Sequence, residues 1–175
     1  MKKDMRSSPA SWKSLLRKEI LSARRIVVLA VGNTSKSDDA AGLLCAQELK
    51  KLIGGKARSR LKILLGHETP ENATGEIRKF RPDLVLIFDA ARGEHKPGTV
   101  FIVGKNQIED DSLSTHTVSL GLLVAYLEET IGCKVTVLGI QPLNLGLGEN
   151  VSLPVKRAAE KLAAFIAHVI MGTKI

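Results

Sequence analysis

Four positions in this chain combine residue type and spacing that could carry chemistry: the adjacent acids Asp38 and Asp39, then Asp89, then His116. Two carboxylates and one imidazole make a hard-to-borderline donor set that suits nickel, zinc or iron and leaves coordination positions open. Each acid also has a structural reading. Asp is a common helix N-cap, and acids in a first turn complement the helix dipole; one acid satisfies that role, and the second is left to point elsewhere. Asp89 directly follows the apolar run Leu84-Val85-Leu86-Ile87-Phe88. A carboxylate at the rim of a sheet is costly to desolvate unless it is paired or binds a cation, although an Asp there can also cap a turn. His116 lies in Ser114-Thr115-His116-Thr117, just ahead of a helix pattern; on its own, a loop histidine is usually solvated. His67 is a weaker candidate of the same kind, while His95 and His168 read as a surface-turn residue and a helix-tail residue.

The elements that must position these residues follow from apolar patterning. Ile26 to Val31, Leu61 to Leu65, Leu84 to Phe88, Thr99 to Val103 and Val135 to Ile140 are short apolar runs, rich in β-branched residues, and read as strands. Helical spacing recurs between them. A first helix begins at Ser8-Pro9 and carries Trp12, Leu15, Leu16, Ile20 and Leu21. A second starts at Asp38 or Asp39, carries Leu43, Leu44, Ala46, Leu49 and Leu52, and stops at Gly54-Gly55. A short helix is expected near Glu71 to Phe80 before Pro82. A polar loop from Lys105 to Thr117 leads to a helix with Leu120, Leu123, Val124 and Leu127, and Ser152 caps a last helix running to about Ile170. Strands alternating with helices predict one three-layer α/β/α domain with a mostly parallel five-stranded sheet. In such a sheet function gathers beyond the carboxyl ends of the strands. That rule selects Asn33, Asp38 and Asp39 after the first strand, His67 and Glu68 after the second, Asp89 after the third, His116 after the fourth and Gln141 after the fifth.

Composition sets outer limits. The 175 residues suit one domain, and aromatics make up only 3%, so the core must be aliphatic. The net charge of +8 is concentrated in residues 2–25 and 50–62. These stretches lack interleaved aromatics for base stacking, so a solvated basic face is expected rather than a nucleic-acid surface. An RNA-binding protein is the third-ranked reading, and it would bind with a steep salt dependence. Cys45 and Cys133 are too few for a disulfide framework and are expected as buried thiols. No long apolar segment follows the basic N-terminus, and Ile26 to Val31 is too short to span a bilayer, so stable membrane insertion is not expected and the cytoplasm is the expected compartment. HExxH, GxSxG, GxGxxG and Walker A motifs are all missing.

Together, Val31-Gly32-Asn33, Asp38-Asp39-Ala40-Ala41-Gly42, Pro70-Glu71-Asn72, Leu86-Ile87-Phe88-Asp89-Ala90-Ala91, Pro97-Gly98, Ser114-Thr115-His116 and Gly139-Ile140-Gln141-Pro142 resemble, in this order, the motifs of the hydrogenase maturation endopeptidases. Pro-Glu-Asn and Gly-Ile-Gln-Pro point to the branch serving membrane-bound or formate-hydrogenlyase-type hydrogenases. The resemblance runs from about Arg25 to Ile170, which suggests a basic N-terminal arm and helix over residues 1–24 and a protease domain over 25–175. It implies an endopeptidase that removes the C-terminal extension of a [NiFe]-hydrogenase large-subunit precursor after nickel insertion. By motif position Asp39, Asp89 and His116 would be both the nickel ligands and the catalytic set. The nickel would be supplied by the precursor, so the free protein can be metal-free. Asn33 would hold the turn that orients Asp39. Asp38 is expected to cap the helix, with general-base duty as the alternative. Ala40 departs from the Gly common after the acid pair, and the N-terminal helix lies outside the resemblance. The rival reading is a non-enzymatic nickel-binding chaperone using the same three ligands.

Overall fold

A computed structural model describes residues 9–172 apart from 56, 58, 110–119 and 149. The apolar runs become a five-stranded sheet in the order β2-β1-β3-β5-β4. Its strands are β1 (Ile26–Val31), β2 (Leu61–His67), β3 (Leu84–Ala90), β4 (Val100–Ile102) and β5 (Lys134–Ile140). β1 pairs in parallel with both β2 and β3, β3 pairs in parallel with β5, and β4 alone runs antiparallel, against β5. β1 and β3 are buried at every position, which is why they read as continuous apolar runs rather than alternating ones.

The helices are α1 (Pro9–Ser22), α2 (Ala41–Ile53), α3 (Thr74–Phe80), α4 (Lys105–Glu109), α5 (Leu120–Tyr126) and α6 (Leu153–Met171). Strand alternation divides the core into two layers. Val28, Ala30, Leu86 and Phe88 face Trp12, Leu16 and Ile20 of α1, together with α2 and α6. Val27, Leu29, Val85 and Ile87 face Ile77 of α3, Ile108 of α4 and Leu123 and Leu127 around α5. The expected α/β/α architecture is the observed one.

Local departures have physical causes. Residues Lys105–Glu109 form α4 where a loop was expected, anchored by the buried Ile108. The helix after β1 does not begin directly at the acid pair. Ser37–Ala40 forms a 3₁₀ turn that hands over to α2 at Ala41. α5 continues as a π-helical turn, Leu127–Ile131, ending at Gly132 with φ 75°.

Candidate active site at the strand ends

The turn after β1 is built by local hydrogen bonding. Asn33 Oδ1 accepts the Ser35 N–H at 2.7 Å, and the Asn33 carbonyl accepts the Lys36 N–H at 3.2 Å. Such an Asx turn uses the short amide side chain as a substitute for backbone. Asn33 Nδ2 also donates to Glu68 Oε1 at 2.8 Å, joining the ends of β1 and β2. The Lys36 carbonyl in turn accepts the Asp39 N–H at 2.8 Å. Asn33 thus holds the turn that carries Asp39.

Two glycines bring that turn onto the sheet. Gly32 has φ 149°, and a Cβ there would lie 2.2 Å from the Asp39 carbonyl oxygen. A Cβ on Gly42 would lie 2.3 Å from the Phe88 carbonyl oxygen and 2.5 Å from that of Val31. The head of α2 is therefore wedged between the carboxyl ends of β1 and β3, next to Asp89. Asp39 is 2% exposed and Asp89 1%. Asp89 lies inside β3 rather than after it, in register with Gly139 of β5.

The structure therefore brings Asp39 and Asp89 to the carboxyl ends of two neighbouring strands. His116 lies outside the described residues, which resume at Leu120 on α5. His67 has φ 51°, is exposed, and uses its carbonyl to accept the Gly32 N–H at 3.1 Å. Among the described residues no group of three or more His, Cys, Asp or Glu side chains is placed to hold a metal ion.

Asp38 departs from expectation. The N-cap residues of the 3₁₀ turn and of α2 are Lys36 and Ala40, and neither makes a side-chain cap bond. The Asp38 carboxylate instead accepts the N–H groups of Leu143 (2.8 Å), Asn144 (3.0 Å) and Ser152 (2.7 Å), and the Ser152 hydroxyl at 2.9 Å. Ser152 occupies the N-cap position of α6, where its carbonyl accepts the Lys156 N–H, but its hydroxyl serves Asp38. Spacing along the chain could not have shown this contact, because the partners are 105 to 114 residues apart.

Gln141 closes the far side of this end of the sheet. Its Oε1 accepts the Gly93 N–H at 2.7 Å, and its backbone bonds to Gly98 and Thr99. Its position after β5 and its place in the Gly-Ile-Gln-Pro segment are the signals for it in the sequence.

These features define an α/β protein that gathers buried carboxylates at the carboxyl ends of its strands. A family model described as hydrogenase maturation protease (HycI) matches residues 44–169, a span that holds Asp89 and His116 and begins just after Asp39. The hydrogenase 3 maturation protease of Escherichia coli K12 is 35% identical over 135 residues, covering 77% of this chain and 83% of that protein. The crystal structure of a [NiFe] hydrogenase maturation protease HycI from Thermococcus kodakarensis superposes with a TM-score of 0.81 at 33% identity, covering 90% of this chain and 99% of that one. The solution structure of the Escherichia coli endopeptidase HycI gives a TM-score of 0.68 at 32% identity, over 80% and 87% of the two chains. The chain belongs to the hydrogenase maturation protease family and is a protease. Within the family it falls in the HycI branch, the one that its Pro-Glu-Asn and Gly-Ile-Gln-Pro segments suggest.

Proposed function

We propose that this protein removes the C-terminal extension of a [NiFe]-hydrogenase large-subunit precursor after nickel insertion, and that it recognises the nickel carried by the precursor. The observation that carries this reading is the placement of two buried carboxylates, Asp39 and Asp89, at the ends of adjacent strands in a member of this protease family. Asp39 and Asp89 would each fill an open position on the precursor's metal, with His116 as the third ligand by motif position. Recognition then follows from electrostatics. A loaded precursor presents a cation for which carboxylates are suitable ligands, whereas an empty one presents none. Among the described residues no helix is long and apolar enough to cross a membrane, and action in the cytoplasm is part of the proposal.

The test mixes purified protein with nickel-loaded or nickel-free precursor and follows loss of the tail by mass. Cleavage of the loaded form alone is expected. Cleavage of neither form would refute this protease role and favour a nickel-binding chaperone; equal cleavage of both would refute nickel recognition. Ala at Asp39, Asp89 or His116 should abolish processing while the variant stays folded.

A further inference from the structure

Asp38 is completely buried, and the function proposed above makes no use of its carboxylate. A carboxylate is an acceptor only, with about four lone-pair sites. Here the Leu143, Asn144 and Ser152 N–H groups and the Ser152 hydroxyl supply four donors. Three of these donors reach Oδ2 and one reaches Oδ1, and with the residue completely buried the carboxylate is closed off from bulk water, which argues against the general-base role.

The same segment is joined to the 143–152 loop at other points. The Asp38 N–H donates to the Asn144 carbonyl at 3.1 Å, and the Gly148 N–H to that of Ser35 at 2.9 Å. The Ser37 hydroxyl donates to the Asn150 carbonyl at 3.1 Å, and Lys36 bridges Leu147. On its other side the turn is pressed against Gly32 through the Asp39 carbonyl. Asp39 is thus held between β1 and the 143–152 loop, which the Asp38 carboxylate, together with the Ser37 hydroxyl, fastens to the turn.

We propose that Asp38 is a positioning residue: by locking the 143–152 loop to the 35–38 turn, it sets the orientation in which Asp39 meets the substrate. This rests on the reading of Asp39 as a substrate contact. Successive residues of a 3₁₀ turn project roughly 120° apart, so the adjacent acids divide the work, the first binding the loop and the second the substrate.

The test compares wild type with Asp38→Asn and Ser152→Ala at a temperature where all are folded by circular dichroism. One readout is the carboxyl ¹³C signal of Asp39 in the free protein, and the other is the kinetics of processing nickel-loaded precursor. Asn must turn an N–H₂ toward at least one donor, and Ser152→Ala removes a single donor while leaving the carboxylate intact. Both variants should displace the Asp39 signal. Asp38→Asn should raise KM about tenfold, the equivalent of one charge-assisted hydrogen bond, with little change in kcat; Ser152→Ala should raise it less. A lowered Tm with the Asp39 signal and KM both unmoved would mean a purely structural role and overturn the proposal. A fall in kcat at unchanged KM would also overturn it, in favour of a base. If Asp38→Asn does not fold, Ser152→Ala decides by the same criteria. If wild type cuts no precursor, the proposed substrate is wrong, and the Asp39 signal alone decides: displacement supports positioning and an unmoved signal refutes it.

Discussion

Gly42 sits so close to β3 that a methyl group in place of its hydrogen would lie 2.3 Å from the Phe88 carbonyl oxygen. Both obstructing neighbours, Phe88 and Val31, present backbone, which cannot rotate away as a side chain can. Gly42→Ala should therefore move the head of α2 off the strand ends. A destabilisation of about 3 kcal/mol is expected, a fall in Tm of roughly 6–12 °C. Processing should be lost even below that Tm, because the displaced turn carries Asp39. Calorimetry and a cleavage assay together check this.

α1 is tied to the sheet by a buried polar contact. Glu19 Oε2 accepts the Thr136 hydroxyl at 2.7 Å while Oε1 pairs with Lys134 Nζ at 2.8 Å. Glu19→Ala leaves the Thr136 hydroxyl buried without its acceptor, at a cost of about 1–3 kcal/mol. Adding Thr136→Val should cost less than the sum of the single changes, as urea titration of the four proteins in the cycle will show.

At the opposite end of the sheet Asp83 Oδ2 accepts the Arg25 N–H at 2.8 Å and the Arg24 N–H at 2.9 Å. The Arg25 N–H first, then that of Arg24, hold this carboxyl below the usual carboxylate range. A carboxyl with a depressed folded-state pKa stabilises fully above its unfolded value of about 3.9, and the effect is lost as pH falls through the folded value. Asp83→Asn should thus destabilise by about 1 kcal/mol or less at pH 7, given its exposure. The deficit should close as the pH drops below about 4. Urea midpoints at several pH values measure it, and processing at pH 7 should be unaffected.

The two thiols should be inert. Cys45 is fully buried between α2 and α6, and burial drives its pKa well above the ordinary thiol range; burial also raises that of Cys133, whose Sγ donates to the Leu127 carbonyl at 3.4 Å. Since the thiolate is the nucleophile, neither should react with a thiol reagent in native protein at pH 8, and both should react after denaturation. Colorimetric thiol counting gives the answer. Rapid native labelling would show that one of these regions opens.

Legibility varied with the range of the determining interaction. β1 was readable to the residue, Ile26–Val31, because complete burial on both faces leaves a continuous apolar run and Gly32 ends it. β3 extends two residues beyond its apolar run, because the backbone keeps pairing with β5 through Asp89 and Ala90. The antiparallel direction of β4 left no local trace, because a three-residue strand looks alike in either direction. α4 was hidden in a polar segment with only Ile108 to anchor it.

What the sequence determined by itself was the alternation of strands and helices, and hence the edge of the sheet where Asn33, the acid pair, Asp89 and Gln141 had to gather. Burial and periodicity are local properties, and they leave their mark on residue type. Motif position assigns the two acids different roles, but only the tertiary structure shows what Asp38 binds in place of the helix end. The path of the 143–152 loop, which is not a local property, brings four donors to one carboxylate from more than a hundred residues away. Asp38 is thereby committed to the fold, and Asp39 is left beside the strand ends.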